Sequence, residues 1–184
     1  MVPHPNDVTG FWRTAGPSRW FKKSDAFDEA IRVRFEPMHH AAARGEHDDW
    51  AATAEGALAL LLLLDQFPRN LYRGSAHAFA TDPKARAVAR AAILAGHDRA
   101  VEANLQPFFY LPFEHSEALA DQDESLRLCT DLRDRVGDED TLKWAGIHRD
   151  IIVRFGRFPH RNAALGRVTS PDEQAFLDGG GFGG

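Results

Sequence analysis

The sequence predicts an all-α fold, a compact array of about eight helices in a single domain spanning residues 1–184. Two observations lead there. Apolar residues recur at helical spacing between glycine and proline punctuation, and no stretch of useful length alternates apolar and polar residues as a half-buried strand does. Capping side chains also stand where these segments begin, and glycines where they end.

The elements follow in order. Residues 1–20 read as an N-terminal extension or short helix. Ser24 or Asp25 can cap a helix through Phe27, Ile31 and Phe35 toward Ala43, with Gly45 as its stop. Pro37 is expected to kink or interrupt it. The next helix, from about Thr53 to Phe67, is apolar on nearly every side toward its end, so it belongs at a core, covered all round. Thr81-Asp82-Pro83 places a capping side chain before an early helical proline, opening a helix to about Ala95 that stops at Gly96. A shorter piece surrounds Val101. A long helix or broken pair is expected from about Phe113 to Val136, another helix from about Glu139 to Phe155, and a short last one after Ser170. Residues 179–184 form a glycine-rich tail, expected to be flexible.

Composition removes several classes. The net charge of −5 disfavours nucleic acid and anionic membrane surfaces as partners. One cysteine, Cys129, excludes an internal disulfide and any zinc site built on several thiolates. The N-terminus lacks a basic region followed by an apolar stretch, and the longest apolar run, Ala57 to Leu64, is far below the ~20 residues that span a bilayer. The expected location is the cytoplasm.

Several polar groups invite a functional reading, each against a structural one. Asp65 follows a run of leucines near a helix C-terminus, where a shielded carboxylate faces the negative end of the dipole and needs a cation. Arg69 is the local candidate, although Pro68 breaks the spacing. Phe67-Pro68-Arg69-Asn70 is echoed by Phe158-Pro159-His160-Arg161-Asn162, each after an apolar helix, which suggests two helical hairpins of similar design. Arginine donating to orphan carbonyls and asparagine capping explain both turns structurally. The functional reading puts Arg69 and Arg161 at the mouth of a cleft.

Residues 143–167 hold six basic side chains against one acid, Asp150, and on a helix Asp150, Arg154 and Arg157 share a face. The surplus arginines suit a carboxylate or phosphate. The rival is neutralisation across a helix pair, since residues 114–140 hold ten acids against three arginines. His148 lies on an apolar stripe, where a histidine is either a hydrogen-bonded core residue or a shifted acid–base group. Glu114-His115-Ser116-Glu117 reads as an acid-rich helix start or as a polar patch beside the aromatic wall Phe108–Phe113. No cofactor is expected, and no metal: there is no HExxH pattern, and Glu36-x-x-His39 is a single copy of a spacing that di-iron bundles use twice. Cys129 reads as core filler.

Four segments in order, Leu64–Asn70, Phe79–Pro83, Tyr110–Glu117 and Arg154–Asn162, closely resemble the bacterial domain-of-unknown-function family 924, over about Trp20 to Phe182. The resemblance implies an all-helical fold similar to tetratricopeptide-like arrays, and no activity. Its motifs coincide with Asp65, Arg69, Glu114, His115, Glu117, His148, Asp150, Arg157, His160 and Arg161, which are expected to converge. The leading functional expectation is a binding module. Arg69, Asn70, Glu114, Asp150, Arg154, Arg157, His160 and Arg161 would hold a small anionic ligand or an acidic peptide. The alternative is a metal-free hydrolase or lyase, with His148 or His115 as acid–base and Asp65 or Glu117 orienting it. The third is a structural network.

Overall fold

The computed structural model describes residues 3–183, and every regular element among them is helical, with no strand. The α-helices are α1 (Pro5–Ala15), α2 (Pro17–Trp20), α3 (Asp25–Ala43), α4 (Ala54–Leu61), α5 (Phe67–Leu71), α6 (Asp82–Leu94), α7 (Pro107–Glu114), α8 (Leu119–Val136), α9 (Glu139–Phe155) and α10 (Pro171–Asp178), with short 3-10 turns between several of them. Two units divide the chain: residues up to Arg73 with His77–Pro112, and Gly74–Ala76 with the residues from Phe113 onward.

In the first unit α4 is the core helix, as its all-round apolarity predicts. Ala57 through Leu64 and Phe67 have no exposed surface. Phe67 meets Phe35 of α3 and Trp12 of α1 at ring separations of 5.1 and 5.6 Å. The N-terminal segment is therefore part of the packing. Trp12 is fully buried, and Arg13 of α1 forks onto Glu55 at 2.6 and 2.9 Å.

The helix continues through two prolines. α3 continues through Pro37, whose missing N–H affects the carbonyl of Val33, a residue that is 72% exposed, so water can substitute. At Pro68 the helix widens instead of ending. Leu62–Gln66 form a π turn, closed by the Phe67 N–H on the Leu62 carbonyl, and α5 continues beyond it. Thr81 sits at the N-cap of α6 but makes no side-chain cap; its hydroxyl donates to the Leu64 carbonyl at 2.5 Å.

In the second unit α8 and α9 pack as a hairpin, α8 closing on left-handed Gly137 and α9 on left-handed Gly156. α10 carries the expected cap, Ser170 accepting from the Glu173 N–H while Glu173 returns to the Ser170 N–H. Ile151, Ile152 and Phe158 are buried, with Ile147, Phe155, Phe176 and Phe182 packed on them. Cys129 has no exposed surface.

Candidate functional site

The nominated residues of the first unit meet at the π turn. Because the chain stays helical through Pro68, Arg69 lies one turn beyond Asp65. Its Nη1 donates to the Asp65 carbonyl at 2.7 Å and lies 3.4 Å from the Asp65 carboxylate. The same guanidinium forks onto Asp82 at 2.9 and 3.1 Å. Asp65 also accepts from Gln66 Nε2 at 2.6 Å. Asn70 turns to α3, donating to Asp28 at 2.7 Å, and Arg73 binds the same carboxylate. These contacts tie helices together and commit Arg69 to two buried carboxylates.

The second unit gathers the other group. Glu114, at the end of α7, is 3% exposed, and its carboxylate lies 3.0 Å from His148 Nδ1 on α9. That nitrogen also faces the Trp144 carbonyl at 2.9 Å, so two acceptors require it to carry a proton. Gln122 Nε2 caps α7 by donating to the carbonyls of Glu114 and Ser116, both at 2.6 Å. Arg161 is 6% exposed, stacks 4.5 Å over Phe158 and donates to the His115 carbonyl at 3.0 Å. The His115 ring stands 6.4 Å from that of His148. Glu117 accepts two hydrogen bonds from Arg167, at 2.7 and 3.0 Å, and one from the Phe158 N–H at 2.8 Å. Burial raises the Glu117 carboxyl, but the Arg167 guanidinium, the Phe158 N–H and the charge of Arg161 together outweigh it and hold the group below the usual carboxylate range.

The expected shared face of Asp150, Arg154 and Arg157 is not formed. Gly156 ends α9, and Arg157 beyond it forks onto Glu173 at 2.6 and 2.8 Å. That guanidinium, with the Ser170 N–H, holds the Glu173 carboxyl down to about 2. Charge neutralisation between the acidic and basic stretches is visible in Arg149–Asp123 at 2.6 Å and in Arg167–Glu117. Arg154 is different. It makes no ion pair among the described residues, and its guanidinium lies over Phe155 at 4.6 Å and Phe176 at 5.6 Å. It stands with Asp150 at a pocket of about 250 Å³, whose walls are Ile147, Ile151, Phe155, Phe176 and Phe182. Phe182 also covers the histidines, its ring 4.5 Å from His148 and 5.2 Å from His160.

Residues 8–181 match the family model for a bacterial protein of unknown function, DUF924. The chain belongs to the DUF924 family. A solved structure of a protein of unknown function from Agrobacterium tumefaciens is 51% identical, with a TM-score of 0.89 over 95% of this chain and 97% of that one. No curated protein matches. The DUF924 match starts at residue 8, inside α1, earlier than the motifs place it.

Sequence reasoning missed partners that come from distant segments: Asp82 for Arg69, Glu173 for Arg157 and Gln122 beneath Glu114. It also passed over His39, His40 and His77, whose ring nitrogens come within 4.8 Å of one another. Adjacent histidines and a third on a remote 3-10 turn match no recognised ligand spacing, although Glu36-x-x-His39 did draw attention to that part of α3.

Proposed function

We propose that this DUF924 protein is a cytoplasmic helical binding module for a small anion with an apolar body, such as an aryl or branched-alkyl carboxylate or the end of an acidic peptide. One observation carries the reading. Arg69 and Arg157 are committed to buried carboxylates, whereas Arg154 makes no ion pair among the described residues and stands at an apolar pocket. A guanidinium pinned on two aromatic faces is oriented without being neutralised, and it can give a carboxylate two parallel hydrogen bonds. The pocket's walls take the apolar part. Asp150 favours ligands with an N–H donor near the carboxylate and disfavours multiply charged phosphates. A tetratricopeptide-like arrangement of helical hairpins suits this role by analogy.

Titration of the purified chain with a panel of aryl and branched-alkyl carboxylates by calorimetry tests the reading. Loss of the charge-assisted hydrogen bonds in Arg154→Gln is expected to weaken binding by ~10- to 100-fold, with the unfolding midpoint unchanged. A panel with no binder, or equal binding by the variant, refutes it.

The metal-free hydrolase or lyase reading draws on the Glu114–His148 contact. An orienting carboxylate beside an imidazole is the arrangement general acid–base work uses. Both groups are nearly buried, and Phe182 stands over His148. Turnover in that reading therefore requires the Phe182 ring to move aside.

A further inference from the structure

His39 and His40 stand together on α3, and His77 stands on the 3-10 turn Ala76–Phe79 of the same unit. One nitrogen from each ring comes within 4.8 Å of the others, and the ring centroids are 5.1, 5.9 and 5.8 Å apart. Zinc–imidazole bonds of ~2.0–2.1 Å at tetrahedral angles need nitrogens about 3.4 Å apart. His77 is exposed, and a small slide of its ring along the face of Tyr72 closes that difference.

Each imidazole is prepared by the groups around it. His39 has no exposed surface, and its Nδ1 lies 2.8 Å from the Leu63 carbonyl. A nitrogen facing a carbonyl carries the proton, which leaves the lone pair on Nε2. That Nε2 is buried and has no hydrogen-bond partner. Buried acceptors are normally satisfied, and histidines that bind metals donate their other N–H to a carbonyl or carboxylate as His39 does. His40 has a similar outer partner. Tyr72 donates to Glu36 at 2.9 Å, and its oxygen lies 3.1 Å from His40 Nε2. With the tyrosine proton spent on Glu36, His40 Nε2–H donates to Tyr72 and Nδ1 keeps the lone pair. Arg32, 3.1 Å from Glu36, anchors the relay. The His77 ring stacks on Tyr72 at 4.0 Å and 3°, which sets its orientation.

We propose that His39, His40 and His77 form a binding site for one divalent transition-metal ion of the zinc type, with its fourth position open beside His77. Three imidazoles select zinc, copper, nickel or iron over magnesium and calcium, which prefer oxygen. Three protein ligands and an open position are also the set that lets zinc hold a water. The site departs from the sequence expectation of no metal, and it stands independently of the Arg154 reading. The competing account is packing alone: a stacked His77–Tyr72 pair beside a core histidine.

The chelator-stripped full chain, titrated with Zn(II) by calorimetry and with Co(II) in the visible, separates the two accounts. One equivalent is expected to bind per chain, with the intense d–d bands of a tetrahedral cobalt centre. His77→Gln and His40→Gln are each expected to weaken binding by at least ~100-fold, with the metal-free unfolding midpoint preserved. His97→Gln, outside the trio, is expected to bind as the parent does. Because His39 is fully buried, its removal disturbs folding, and the exposed His77 carries the test. Absence of stoichiometric binding by either ion overturns the proposal, and so does binding that His77→Gln and His40→Gln leave unchanged.

Discussion

Replacing Arg69 by alanine tests whether its guanidinium is a brace or a ligand handle. The side chain is 19% exposed, and it stands between two carboxylates whose side chains are 1% exposed at Asp65 and 7% at Asp82. It makes three hydrogen bonds of 2.7–3.1 Å, two to the Asp82 carboxylate and one to the Asp65 carbonyl. Hydrogen bonds to charged groups contribute ~1.5–3 kcal/mol each, but they share one desolvation cost and do not sum. Breaking a buried pair by removing one partner costs ~3–5 kcal/mol, because the remaining charge loses its compensation. The expected loss for Arg69→Ala is therefore about 3–5 kcal/mol, read in urea unfolding followed by far-ultraviolet circular dichroism. At this chain length that corresponds to a Tm lower by roughly 6–20 °C. Arg69→Lys keeps the charge but not the fork, and a smaller loss is expected. Arg69→Ala/Asp82→Asn is expected to recover part of the loss, since it removes the stranded carboxylate. A loss below ~1 kcal/mol in Arg69→Ala, the range of an exposed pair, would falsify the assignment of Arg69 to the fold and return it to the candidate ligand groups.

Two further outcomes follow from burial and close approach. The Cys129 thiol is pushed up to about 12, first by burial and then by the Glu114 charge, from an ordinary value of 9.0. Below the ordinary thiol range both states keep the proton and the group leaves stability unchanged with pH. Between about 9 and about 12 the unfolded chain loses the proton first, so stability falls with rising pH by up to ~1.4 kcal/mol per unit. Cys129→Ala should show a shallower alkaline decline in unfolding midpoint, and the native thiol should resist alkylation until the chain unfolds; parallel declines refute this. At Gly56 an added Cβ would lie 2.0 Å from the Trp50 carbonyl oxygen and 2.8 Å from its carbon, both backbone atoms that cannot swing away. Gly56→Ala is expected to cost ~1–3 kcal/mol or more, and an unchanged Tm contradicts the closeness of that approach.

The helices were legible because their signals are local. Ser24, Ser170 and Gly137 act at the positions that spacing predicts, and Glu139–Phe155 is recovered residue for residue. Candidate side chains were legible as types and not as partnerships. Asp65 beside Arg69 could be proposed because the two are close in sequence, although Pro68 was expected to break the helical spacing; Asp82 completes the group from a segment whose cap signal pointed elsewhere. Arg157 looked like a member of the Asp150–Arg154 face because helical spacing was continued past Gly156. The left-handed glycine ends that face and sends Arg157 to Glu173. In each case the deciding contact spans many residues, and the sequence pattern carries no term for it.

Pro68 shows how a local feature prepares long-range chemistry. Lacking an N–H, it cannot donate to the Leu64 carbonyl as an α-helix requires, nor to the Leu63 carbonyl as a π turn requires. Phe67 already serves Leu62. The unmet acceptors lie within a helix that has no exposed surface at Leu63 and Leu64, so water cannot serve them cheaply and side chains must. His39 takes the Leu63 carbonyl, and Thr81 takes that of Leu64. One proline thus explains why Thr81 forgoes its cap and why His39 has a fixed tautomer. The orientation of the proposed metal ligand and the missing side-chain cap of α6 then share a cause. Replacing Pro68 with alanine should supply the missing donor, relax the π turn toward regular helix and loosen both arrangements together.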